Sequence, residues 1–147
     1  MDTFKREHFE KAHPGESFPP STALSVDEAE QLKVDLAVRL GGMPTDAAQK
    51  IARDLVDEAL VISGANATEP AFDLCGILDD LGLERPEDVL INWRHFDDVD
   101  RMRLTDLRDH FADIWYPSSD DIEIIHPSRR WVISVSHDGD VSYLRFS

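Results

Sequence analysis

Between Trp115 and Ile124 the chain reads WYPSSDDIEI, which sets Asp120, Asp121 and Glu123 close together, with His126 and His137 further on. Carboxylates beside an imidazole can hold a divalent ion or move protons. A small metal-dependent hydrolase using Asp120, Asp121 and a histidine is therefore one chemistry that these residue types allow. Spacing argues against a shared ion. RWVISVSH reads as a strand, and at roughly 3.3 Å per residue it holds His126 and His137 on the order of 25 Å apart. His110 falls on a helical stretch elsewhere, and no HExxH spacing occurs. A turn also accounts for the same residues: Pro117 stops a helix, and Ser118, Ser119, Asp120 and Asp121 can bond nearby backbone amides.

Other chemistries find less support. There is no GxSxG elbow for a nucleophilic serine. Cys75 sits between Leu74 and Gly76 on an expected buried helix face, where it reads as a small core residue. Gly41-Gly42 has no following GK[ST] and suits a helix end rather than a phosphate cradle. No cofactor is expected, and the balance favours a binding protein over an enzyme.

The formal net charge of −15 is the most unusual feature of the 147 residues. Such a surface repels nucleic acid and anionic lipid. It attracts basic proteins and speeds their encounter. Solubility or adaptation to salt would give the same composition, since aspartate outnumbers glutamate 20 to 10. Acids cluster at Asp79-Asp80, at Asp97-Asp98 with Asp100, and at Asp120-Asp121 with Glu123. Trp115 and Tyr116 adjoin the last cluster, and an aromatic anchor ringed by carboxylates can grip arginine or lysine. The candidate partner-binding set is thus Asp97, Asp98, Asp100, Trp115, Tyr116, Asp120, Asp121 and Glu123. No apolar run approaches the roughly 18 residues of a membrane span, the N-terminus lacks a secretory pattern, and a lone cysteine fits a reducing cytoplasm.

These residues need a scaffold. An apolar share of 41% and a charged share of 31% suit one folded domain over 1–147. Residues 1–24 read as an arm, with a short helix over Thr3–Ala12 before HPGESFPP. Residues 25–82 read as helical. Ser25 and Glu28 form a capping box, and Ala29, Leu32, Leu36 and Leu40 form a stripe. A second helix capped by Thr45 carries Ile51, Leu55, Ala59 and Ile62 and closes at Ser63-Gly64, and ANATEP is a loop. PAFDLCGILDDLGL is a third helix with Pro70 near its first turn. Residues 88–147 are mixed. DVLINWRHF alternates as a strand, with Leu90, Asn92 and Arg94 on one face, and DDVD is a polar turn. RLTDLRDHFADIWY is helical. DIEII, RWVISVSH and DVSYLRF form a meander whose last hairpin turns at Asp138-Gly139. The expected fold class is α+β, a helical N-terminal half packed on a small antiparallel sheet with a C-terminal three-stranded meander.

The segment from Trp93 to Gly139 resembles the C-terminal pattern of small uncharacterised bacterial proteins with a Tyr-Pro-x-Ser-Asp-Asp turn, a tryptophan strand and a His-x-Gly hairpin. In size and charge the chain is similar to immunity proteins of bacterial toxin systems. The resemblance implies a protein that neutralises a basic protein partner, a toxin for example, and it carries over no functional residue. An adaptor whose charge serves only solubility is the third reading.

Overall fold

The computed structural model describes residues 1–146, and the Arg94 side chain also lies outside the described residues. The fold is α+β, as expected, but the sheet is larger than a meander with one added strand. Seven antiparallel strands run Ser21–Ala23 (β1), Leu60–Asn66 (β2), Asp88–Arg94 (β3), Asp98–Arg103 (β4), Ile122–Ile125 (β5), Trp131–Val135 (β6) and Asp140–Arg145 (β7), in the order β1-β4-β3-β5-β6-β7-β2. The C-terminal meander β5-β6-β7 is present, and Gly139, at φ 92°, makes its last turn.

Alternation along the strands divides the interior in two. Val89, Ile91 and Trp93 of β3, Ile122 and Ile124 of β5, and Trp131, Ile133 and Val135 of β6 share one core with the helices Phe4–Ala12 (α1), Leu74–Asp80 (α4), Leu104–Asp109 (α5) and Phe111–Ile114 (α6). Leu90, Ile125 and Val132 point the other way, into a core closed by Val26–Arg39 (α2) and Ala48–Glu58 (α3). The Ser25–Glu28 capping box starts α2, with Glu28 N donating to Ser25 Oγ at 3.1 Å and Ser25 N donating to Glu28 Oε1 at 3.0 Å. Its buried stripe is Ala29, Leu32, Leu36 and Ala37.

Several expected boundaries move. The second long helix does not reach Ile62. It starts at Ala48 without a Thr45 cap, ends at Glu58, and Leu60–Asn66 becomes the edge strand β2. The β-branched pair Val61-Ile62 favours extended backbone, and β7 offers a free edge to which Leu60 and Val61 pair opposite Tyr143 and Ser142. The third helix begins only at Leu74, capped by Asp73, so Pro70 lies in the preceding turn rather than in the helix. DDVD is not the turn. Asp98 to Asp100 belong to β4, and the chain reverses just before, where His95 and Phe96 adopt φ 47° and 66°. The helix expected over 103–116 breaks at His110 into α5 and α6.

The N-terminal arm is fastened at both ends. Ser21 to Ala23 pair with β4. Lys5 of α1 is 1% exposed, its Nζ 3.7 Å from the centre of the Tyr116 ring, 5.1 Å from that of Trp93 and 2.5 Å from Asp120 Oδ2. An enclosed ammonium needs such an opposite charge, since desolvation otherwise costs several kcal/mol. Lys5→Met strands the Asp120 carboxylate and should lower the unfolding free energy by about 3 kcal/mol, read from the urea midpoint. An unshifted midpoint would show that the pair contributes nothing.

Candidate functional site

Two neighbouring rows of side chains on the α2–α3 face define the site. In the first, Leu90, Ile125, Val132 and Leu144 lie side by side across β3, β5, β6 and β7, beneath the helices. Two residues along each strand, the next row on the same face is Asn92, Glu123, Ser134 and Ser142. The helices leave part of this polar row open as the floor of a cavity of about 870 Å³. Ala52, Arg53 and Val56 of α3 form one wall and Val61 of β2 another, while His95, Asp98, Asp120, Asp121 and Asp140 are among the other lining residues.

Glu123 is the central group of the floor. Asn92 Nδ2 donates to its Oε1 at 3.3 Å, and the Asn92 Oδ1 in turn accepts the Phe96 backbone N–H at 3.0 Å. Burial pushes the Glu123 carboxyl up to about 7, the Asn92 hydrogen bond opposes this, and the charge of Asp121 adds to the rise. A carboxyl poised near neutrality inside a cavity can take or give a proton, or wait for a cation that restores its charge.

The eight residues singled out from sequence separate into groups. Asp98, Asp120, Asp121 and Glu123 line the one groove. Asp97 is exposed in the adjacent turn. Asp100 is 6% exposed and accepts the Trp93 Nε1–H at 2.9 Å. Trp115 is 2% exposed and donates from Nε1 to the Asp120 carbonyl at 2.9 Å, so its ring is a core element, enclosed by the fold. Tyr116 lies behind the rim under Lys5, and burial, with the charges of Asp113 and Asp120, raises its phenol.

Much of the rim charge is internally matched. The Asp98 and Asp100 carboxylates lie 2.5 Å and 3.0 Å from the Met1 amine. Asp120 accepts from Lys5 and, at 2.8 Å, from the Tyr116 backbone N–H. Asp121 Oδ1 accepts the His137 backbone N–H at 2.7 Å and lies 3.0 Å from His137 Nδ1. That hydrogen bond, with the charges of Asp121 and Asp138, raises the exposed His137 imidazole. Asp121 and His137 thus make one carboxylate–imidazole pair. Among the described residues, no group of three or more His, Cys, Asp or Glu side chains is placed to hold a metal ion. The Asp79-Asp80 cluster joins none of this: Asp79 pairs with Arg85 at the far end of α4.

Sequence reasoning did not single out Asn92, Ser134, Ser142, Asp140, Asp2, Arg53 or Val61, although all but Asn92 line the groove. For Asn92, Ser134 and Ser142 the signal was one polar residue interrupting each apolar strand, in LINW, VISV and VSYL, as Glu123 does in IEII. Only the pairing register sets the interruptions side by side. Comparison with known proteins finds no matching family model, no matching curated protein and no matching solved structure.

The Glu123 shift has a consequence for stability. The unfolded chain carries an ordinary carboxyl near 4.5 and the folded chain one near 7. The folded state therefore holds the extra proton between these values, and stability falls as pH rises through that window. Glu123→Gln should raise the unfolding free energy at about pH 8 by up to roughly 3 kcal/mol and change it little near pH 4.5. Urea midpoints at the two pH values check this, and equal shifts at both would contradict it.

Proposed function

We propose that the protein is a non-enzymatic binding protein whose acid-rimmed groove receives a basic protein partner, in the manner of an immunity protein that neutralises a bacterial toxin. The observation that carries this reading is that Asp2, Asp98, Asp120, Asp121, Glu123 and Asp140 line one groove, in which Arg53 is the lining arginine among the described residues. Pairing of Asp120 with Lys5 and of Asp121 with His137 reduces this field. The formal net charge of −15 supplies a longer-ranged attraction that steers a cationic partner toward the molecule. Apolar anchoring belongs to the groove wall rather than to the enclosed Trp115: Val56 and Val61, 60% and 78% exposed, line it.

The reading places the charge, not only its sum. Asp97→Asn, Asp121→Asn and Asp140→Asn together should slow association with a short arginine-rich peptide several-fold at low ionic strength and flatten its salt dependence. Neutralising Glu10, Asp27 and Asp80, which lie on three separate helix regions, changes the net charge equally and should slow it much less. Stopped-flow association over a range of salt concentrations distinguishes the two sets. Equal slowing by both would reduce the charge to a general surface property and remove the groove from the account.

A further inference from the structure

We infer that the groove floor is a receptor for a single arginine side chain of the partner, whose guanidinium bonds the Glu123 carboxylate and the Ser134 and Ser142 hydroxyls while its stem lies between Val56 and Val61. This rests on the binding reading above and names what the groove takes.

Among the described residues, the floor offers acceptors with unused capacity. Ser134 is 9% exposed and lines the groove, yet its hydroxyl has no hydrogen-bond partner among the described residues. The hydroxyl therefore meets the open groove, where it can accept from a ligand. Asn92 engages only one oxygen of Glu123, so Oε2 carries no hydrogen bond among the described residues. Glu123 pairs opposite Ser134, and Ser134 opposite Ser142. Directly opposed side chains in an antiparallel sheet start about 5 Å apart, so the three acceptors form a line along the floor.

A guanidinium suits such a line better than an ammonium. It is planar, donates five N–H bonds in a fixed fork and accepts none, so it can meet a carboxylate edge and neighbouring hydroxyls together. It is also weakly hydrated and tolerates enclosure. A cation seated there offsets the burial that penalises the Glu123 charge. Val61 lies on the same sheet face as Ser142, opposite which it pairs, and Val56 faces the groove from α3. Together they give the methylene stem an apolar channel. Arg53, on the same wall, opposes any cation and helps to limit the floor to one.

The test uses the full chain with capped single residues: Nα-acetyl-arginine methylamide, its lysine counterpart and its citrulline counterpart, which is nearly isosteric but uncharged. In amide NMR titrations the arginine compound should give saturable shifts at Glu123, Ser134 and Ser142. The lysine compound should bind several-fold more weakly, and the citrulline compound should give no saturable shift. Glu123→Gln should abolish the arginine response, Ser134→Ala should weaken it, and Arg53→Gln should strengthen it. The arginine compound should also displace the arginine-rich peptide. Shifts confined to the rim at Asp121 and Asp140, or an undiminished response in Glu123→Gln, would overturn the floor receptor while leaving rim-steered association intact. A floor response without the rim dependence measured above would instead remove the basic protein partner and keep the guanidinium site.

Discussion

The register of β5 is the constraint on which the rest depends. This strand has only four residues, Ile122 to Ile125, and it is paired on both sides, to β3 and to β6. Ile122 and Ile124 fill one core and Ile125 the other, which leaves Glu123 on the α2–α3 face. A slip of one residue would exchange the faces and drive the carboxyl in among Ile91, Trp131 and Ile133. An unpaired charge there costs several kcal/mol, so the register is strongly specified. The same register sets Glu123 between Asn92 and Ser134, so the requirement for a dry core on one face builds the polar floor on the other.

The WYPSSDD turn shows how one acidic stretch is divided among several tasks. Asp120 turns inward to the ammonium of Lys5 and the Tyr116 amide, and its carbonyl holds the Trp115 indole. Asp121 turns outward and binds His137 across the neighbouring hairpin. Glu123, two residues on, sits in the groove with its carboxyl pushed up to about 7. Three carboxylates of similar intrinsic acidity thus meet an enclosed cation, solvent with an imidazole, and an apolar wall. Burial and partners, not residue type, set these three environments apart.

Legibility followed the range of the interaction that forms each element. The α2 start at Ser25, the Asp138-Gly139 hairpin and the meander are set by neighbours in sequence, and the structure places them as read. The strands β2 and β4 were not legible. Leu60-Val61-Ile62 continues a helical apolar stripe, and only the free edge of β7, far along the chain, draws it into the sheet. Asp98-Val99-Asp100 looks like a turn until Asp100 is seen to accept from the Trp93 indole inside the fold. Among the acids, clustering in sequence was visible, but not which would be matched from α1 or by the hairpin at His137.

The sequence by itself determined the class of fold, the alternation that gives the sheet two buried faces, and the excess of negative charge, because composition and short-range periodicity encode them. It also carried one polar interruption in each of four strands. Only the tertiary structure decided that Asn92, Glu123, Ser134 and Ser142 lie in one row and that α3 stops short of covering it all. Register and helix placement are set by packing between distant segments, and no local pattern in the chain records them.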